Sequence, residues 1–417
     1  MPQSDLHNSA VGGWDVGAIR SNFPILSRKV HGKPLVYLDT AASAQRPSVV
    51  IDAVTNFYTG HNANVHRGVH TLSQEATELW ENARESMREF IGAASCREII
   101  FTRGMTEGVN LVAQSFVRPR VGQGDKIMIT AMEHHSNIVP WQLVCEQTGA
   151  ELVIIPVNNR GEVELEAFAE MLDEQVKMLA VMHVSNALGS INPVAKMCRM
   201  AKEYNIPVLI DGAQATPHLQ VDVQAIDCDF YCVSGHKMYG PTGSGVLYGR
   251  ENLLEAMPPY HGGGEMIRTV TFEKSTWNDL PSKFEAGTPN IAGGIGLGAA
   301  AQFIQGIGRE NIRTYEADLL NYGTRRLEEI DGLRIIGTAA EKASVMSFII
   351  EGTHPHDIGT IIDHAGVAIR TGHHCAMPIL KQFGVVGTAR ASLGMYNTRE
   401  EIDVLVAAVE KACVMLR

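Results

Sequence analysis

The sequence predicts an α/β protein: a large domain with a mostly parallel sheet covered by helices, followed by a smaller α+β domain. Three observations carry this expectation. Apolar runs alternate with helical patterns at Glu98–Phe101, Lys126–Thr130, Glu151–Val157, Leu179–Val184, Val208–Ile210, Phe230–Val233 and Gly245–Tyr248, and such alternation belongs to a parallel sheet with helices on both faces. After about Leu297 the character changes to two helical stretches, Leu297–Ile307 and Glu310–Ile330, and then shorter strands at Leu333–Ile336, Val345–Ile350, Val367–Ile369 and Ala389–Leu393. Finally, a chain of 417 residues exceeds the size at which a single core stops growing. The expected division is an N-terminal segment, 1–30, docked on the small domain, a large domain, 31–296, and a small C-terminal domain, 297–417.

In chain order, the first thirty or so residues are polar, with Val16 to Leu26 as the part able to dock. Leu35–Leu38 reads as a short strand entering the small-residue turn Asp39-Thr-Ala-Ala-Ser43, and His61–Arg67 is a polar loop. From Thr71 to Ile91, Ala76, Trp80, Ala83, Met87 and Phe90 recur at a helical period, which predicts a long amphipathic helix. The chain ends in a helix from Arg399 to Leu416. In an open α/β sheet, ligands sit beyond the carboxyl ends of the strands. Polar residues cluster there, at Arg103–Glu107, Glu133–Asn137, His183–Asn186, Asp211–Gln214 and Ser234–Lys237.

The net charge of -11 speaks against nucleic acid or an anionic membrane as the main partner and leaves small anionic ligands open. Seven cysteines without regular spacing, and an N-terminus lacking an apolar signal core, point to a reducing cytoplasm. No stretch is long and apolar enough to span a membrane.

Several residues can carry chemistry. Lys237 ends the apolar run Asp229–Ser234 and precedes a glycine-rich stretch. It is either a lysine whose amine snorkels to water, or a buried amine driven toward its neutral form and able to attack a carbonyl. Asp211 ends the run Val208–Ile210, with Gln214 three residues on. An Asp there can cap a helix or form a turn; it can also hold a proton on a heterocyclic nitrogen and so make the ring an electron sink. Phe101–Asn110 passes from strand to helix, where Thr106 is either an ordinary N-cap or part of an anion site with the free backbone N–H groups.

Two glycine patterns lead elsewhere. Gly235 to Gly240 has the spacing of a phosphate loop, but Pro241 stands where its lysine is required. Gly294-Ile-Gly-Leu-Gly-Ala299 matches a dinucleotide pattern without a preceding strand, and close helix packing explains it better.

In the second domain, Arg370-Thr-Gly-His-His-Cys375-Ala-Met-Pro378 follows a strand. Imidazolium at His373 or His374 would favour a nucleophilic Cys375 thiolate. Metal binding competes, but three adjacent residues do not readily converge on one ion and no Cys-x-x-Cys exists, so no metal is assigned. Arg370 and Arg390 each lie beside an apolar strand, where a guanidinium needs either a salt bridge or a substrate carboxylate.

Thr106-Glu-Gly-Val-Asn110, Glu133-His-His-Ser-Asn137, Asp211-Gly-Ala-Gln214, Ser234-Gly-His-Lys237 and Arg370-Thr-Gly-His-His-Cys375 together resemble the class V, fold-type I pyridoxal phosphate enzymes. The resemblance covers roughly residues 15 to 415 and is greatest to the SUF-type (group II) cysteine desulfurases, also described as selenocysteine lyases. It implies the fold-type I transferase architecture, with pyridoxal phosphate held by Lys237, Asp211 on the pyridine nitrogen, Gln214 on the ring hydroxyl and His134 stacked on the ring. Thr106, Ser234 and His236 would hold the phosphate, with Thr288 reaching over from a second subunit of a homodimer. Asn186 and Arg390 would take the carboxylate of L-cysteine, or of L-selenocysteine, with His66 and Arg370 in the pocket wall. Cys375 would take the sulfur as a persulfide and pass it to an acceptor protein of the SUF pathway for iron–sulfur cluster assembly. Met105 departs from relatives that carry a hydroxyl residue there, which removes one side-chain phosphate contact. Another class V enzyme, an aminotransferase or a sulfinate lyase, is the alternative within the cofactor class; a non-catalytic sulfur or metal carrier is the alternative outside it.

Overall fold

The structure is a computed structural model that describes residues 14–416. Its larger sheet has seven strands, in the spatial order Ile99–Thr102, Gly245–Gly249, Phe230–Ser234, Val208–Asp211, Val176–Met182, Lys126–Thr130 and Glu151–Ile155. These are the seven apolar runs expected above, with ends moved by a few residues. All run parallel except Gly245–Gly249, which is antiparallel to both neighbours.

The central runs Val176–Met182, Val208–Asp211 and Phe230–Ser234 are nearly continuously apolar because both sheet faces are covered there. Leu179 and Val181 enter one core cluster, with Val208, Ile210 and Tyr231, whereas Met178 and Ala180 enter the other, with Leu209 and Phe230. Successive strand residues point to opposite faces, so each strand supplies two cores at once.

The smaller sheet has four antiparallel strands, Leu333–Ile336, Val345–Ile350, Thr388–Ser392 and Arg370–Gly372, packed with the helices Arg309–Glu328, Pro355–Asp363 and Arg399–Leu416. The run expected at Val367–Ile369 shortens to Val367–Ala368, which pairs in parallel with Val36–Tyr37, and a further strand, Arg370–Gly372, pairs antiparallel with Thr388–Arg390. Residues 36 and 37 therefore meet the C-terminal part of the chain directly.

Of the N-terminal segment 1–30, the first thirteen residues lie outside those described. Trp14 stacks on Tyr315 with ring centroids 4.8 Å apart, and Arg20 pairs with Glu401 at 2.9 Å. The long helix Thr71–Ile91 is capped by His70, whose Nδ1 accepts from the Ser73 N–H, and ends at Gly92, whose φ of 70° is left-handed. It packs against the helix Ile291–Ile307, which contains Gly294, Gly296 and Gly298. No single helix among the described residues is long and apolar enough to cross a membrane.

Candidate active site

Six strands of the larger sheet point the same way, so the loops after them converge at one edge. Asp211 is the last residue of its strand, Ser234 the last of the next, and Lys237 closes the short helical turn that follows. That turn requires Gly235, because a Cβ there would lie 2.4 Å from the Ser244 hydroxyl. Lys237, Asp211, Ser234, His236, Thr106, His134, Asn186, Arg370, Cys375 and Arg390 line one cavity of about 200 Å³, joined by Met105 and Ala41. The fold thus assembles side chains from eight separated stretches of sequence.

Burial lowers the pKa of the Lys237 amine, opposed by the nearby Asp211 carboxylate. Burial raises that of Asp211, opposed by Lys237, while the Ala213 N–H donates to Asp211 Oδ1 at 2.9 Å. The His134 ring is pushed down to about 3 by burial, with Lys237 acting in the same direction, so it stays neutral at physiological pH. Its Nδ1 accepts from the Ser136 N–H at 3.0 Å, and the Ser136 and Thr106 hydroxyls bond at 2.8 Å. Beneath it, Glu133 is fully buried and bonded to Thr130 Oγ1, Asn137 Nδ2 and the Met182 N–H at 2.6, 2.7 and 3.0 Å. Glu133 therefore fastens the loop that presents His134, a role its place in the motif did not disclose.

Arg390 is buried at the cavity's other end. Its guanidinium donates to the Asn186 carbonyl at 2.8 Å and to Asp39 at 3.3 Å, leaving Nε without a partner. Burial lowers its pKa to about 10, with Asp39 opposing. Arg370 reaches the same carboxylate at 3.1 Å. Both arginines thus have a salt bridge, and Arg390 retains a free donor beside the unpartnered Asn186 Oδ1. Asp39, read from sequence only as a turn residue, is their common counter-ion.

The loop between the strand Arg370–Gly372 and the helix Met377–Gln382 is four residues long and takes its turn at His374 and Cys375, with φ of 51° and 54°. The His135 N–H donates to the Cys375 carbonyl at 2.7 Å and Asn186 Nδ2 to the His374 carbonyl at 2.6 Å, fixing this strained turn to the larger sheet. The expectation of a flanking imidazolium is corrected at His374. That ring is buried, bonded through Nε2 to the Thr388 hydroxyl at 2.8 Å and pushed down to about 3 by burial, so it is neutral. Cys375 is exposed, whereas Cys198, Cys228 and Cys232 are buried with thiols pushed upward.

Three expected residues do not line this cavity. Gln214 lies behind it, donating to the Ala41 carbonyl at 2.6 Å with its own Oε1 unpartnered. His66 bonds to Glu81 at 2.9 Å and lies 3.4 Å from Glu265, away from Lys237's cavity. Thr288 lines a separate cavity of about 670 Å³ together with Tyr260 and Arg103. Within this one chain, then, neither His66 nor Thr288 meets the other predicted residues.

The family model for class-V aminotransferases matches residues 36–405. The chain belongs to the class-V aminotransferase family. This class-V chain is 48% identical over 97% of its length to the cysteine desulfurase of Synechococcus elongatus, of which it spans 65%. It is 51% identical over 95% of its length to a cysteine desulfurase of Escherichia coli, covering 98% of that relative. The crystal structure of a second Escherichia coli cysteine desulfurase, in an S-sulfonic acid form, superposes with a TM-score of 0.90 at 39% identity, covering 97% of this chain and 99% of that one.

The cofactor is pyridoxal phosphate, and the residues present fit it. A buried amine at Lys237 suits its aldehyde, and Asp211, engaged by a single backbone donor, suits a protonated ring nitrogen. The neutral His134 ring suits a stacked partner, and Thr106, Ser234 and His236 share a second, adjoining hollow of about 510 Å³ that suits the phosphate.

Proposed function

We propose that this chain is a SUF-type cysteine desulfurase that converts L-cysteine to L-alanine and leaves a persulfide on Cys375 for an acceptor protein of iron–sulfur cluster assembly. The observation that carries this reading is that Cys375 lines the same cavity as Lys237 and Arg390. Arg390, through its free Nε, and Asn186 hold the substrate carboxylate. Pyridoxal phosphate, when bound, supplies a carbonyl carbon for the substrate amine and a ring that withdraws electrons from the α-carbon. Lys237, whose amine burial drives toward its neutral form, takes the α-proton. Asp211 would hold a proton on the ring nitrogen. The Cys375 thiolate then attacks the substrate sulfur: an S–S bond forms, the C–S bond breaks, and its electron pair stays with the carbon that becomes the alanine methyl group.

The loop 373–376 is short and pinned at both sides, so the acceptor has to come to Cys375. Selenocysteine fits the same site and should depend less on Cys375, because selenium leaves more readily. We also assign a homodimer in which Thr288 completes the partner's phosphate site, and a cytoplasmic setting.

Lys237→Ala should abolish turnover, and borohydride should fix the cofactor to a peptide containing Lys237. Cys375→Ala should keep the yellow colour but form no persulfide and release no sulfide from cysteine. Normal desulfuration by Cys375→Ala would overturn the nucleophile assignment. Sulfite or keto-acid products would place the chain with other class-V enzymes. Sulfide release with and without candidate acceptors tests the transfer step, and an active monomer in light scattering would contradict the dimer.

A further inference from the structure

We propose that His135, His373 and Cys375 form a binding site for one Zn²⁺ ion, with the Cys375 thiolate as its sulfur ligand. One ligand atom from each residue lies within 4.8 Å of the other two. Residues 373 to 375 do not converge on one ion by themselves, but the structure turns His374 inward to Thr388 and puts His135, from the loop after the strand Lys126–Thr130, beside the other two. Two imidazoles and one thiolate are a donor set suited to zinc, and three protein ligands leave a fourth position open to water.

The two loops are already fastened to each other. The His135 N–H donates to the Cys375 carbonyl at 2.7 Å, and His135 Nε2 accepts from the Met377 N–H at 3.2 Å. His373 Nδ1 accepts from the Cys375 N–H at 3.1 Å. Both rings therefore present a lone pair held only by a long, exposed backbone bond, and zinc takes over those lone pairs while the N–H groups turn to water. Zn–N and Zn–S bonds of about 2.0 and 2.3 Å need ligand atoms about 3.3–3.8 Å apart, so the cluster has to contract by about 1 Å. His373 and Cys375 are exposed, which permits that movement. Binding releases the thiol proton and commits the sulfur electron pair to the metal.

The consequence rests on the reading of Cys375 as nucleophile: bound zinc withholds it from the substrate sulfur. The site would act as a reversible block that also shields the thiolate from oxidation.

Equilibrium dialysis of the full-length holoenzyme against ZnCl₂, with zinc read by atomic absorption, tests the site without reference to activity. Wild type should retain one zinc per chain that Cys375→Ser, His373→Ala and His135→Ala each bind about tenfold or more weakly, since losing a ligand costs at least as much as losing its outer-shell partner. His31→Ala, which removes an exposed histidine elsewhere, should bind as wild type. Zinc should also slow alkylation of Cys375 by iodoacetamide in wild type but not in His135→Ala. Equal zinc retention by wild type and the three ligand variants would overturn the site. Zinc retained at the site without inhibition of sulfide release would leave the site standing and overturn the nucleophile assignment instead.

Discussion

A single carboxylate, Asp39, lies against two guanidinium groups, at 3.1 Å from Arg370 and 3.3 Å from Arg390. Arg390 is 2% exposed, so it relies on that neighbour to offset the cost of its burial. Asp39→Asn keeps the shape and removes the charge. It should lower unfolding stability by roughly 2 to 4 kcal/mol, because an unpaired buried charge is left behind; urea titration measures this, and an unchanged midpoint would show that the Asn186 carbonyl alone suffices. Nothing in the local sequence marks Asp39 as this counter-ion, since its partners lie more than 300 residues away. Lys237 and Asp211 were legible because each ends an apolar run, and a charge placed there needs a reason.

At the level of elements, the contact between Ile291–Ile307 and Thr71–Ile91 shows what the glycine pattern is for. A Cβ on Gly294 would lie 2.3 Å from the Trp80 ring, and one on Gly298 would lie 2.7 Å from the Ala83 backbone. The glycines let two helices approach, which is the packing role expected from the absence of a preceding strand. Gly298→Ala gains about 1 kcal/mol of helix propensity but has to separate the helices at a backbone contact, at roughly 1–3 kcal/mol. A net loss of up to about 2 kcal/mol is expected, read as a lower thermal midpoint, with Gly306→Ala, where a Cβ meets nothing within 4 Å, as the stabilised control. Helices were legible where one face alone is apolar, as at Thr71–Ile91. The short helices Pro355–Asp363 and Met377–Gln382 and the strand Arg370–Gly372 were missed, because each spans only one to three turns or three residues and owes its form to neighbours.

For the whole molecule, burial holds several histidines neutral: His134 and His374 at about 3, and His183 and His236 at about 4. Their folded values lie below the ordinary 6.5, so below that pH the unfolded chain takes up protons that the folded chain refuses. Their contribution to stability is complete above about 6.5 and falls as the pH drops toward 4. Glu133, pushed up to about 8 by burial, acts in the opposite sense, since the folded chain holds its proton between about 4.5 and 8. Burial also raises Asp211, Asp229 and Glu401, but all four histidines cross their ordinary pKa of 6.5 between the two conditions, so the urea midpoint should be lower at pH 5.5 than at pH 7.5. Glu133→Gln removes the opposing contribution and should steepen that loss; equal midpoints at the two pH values would mean that the histidines ionise in the folded protein.

The sequence by itself determined where the strands of the larger sheet lie, that both sheet faces are covered, and which strand ends carry Asp211, Ser234 and Lys237. Those features are written in local periodicity and in charges at the ends of apolar runs, which a reader meets within a few residues. Only the tertiary structure decided that Gly245–Gly249 runs against its neighbours, that Asp39 serves two arginines, that His374 turns inward, and that His135 stands beside Cys375. Each of these joins groups distant in the chain, and strand order and loop register, which no local pattern encodes, decide whether they meet.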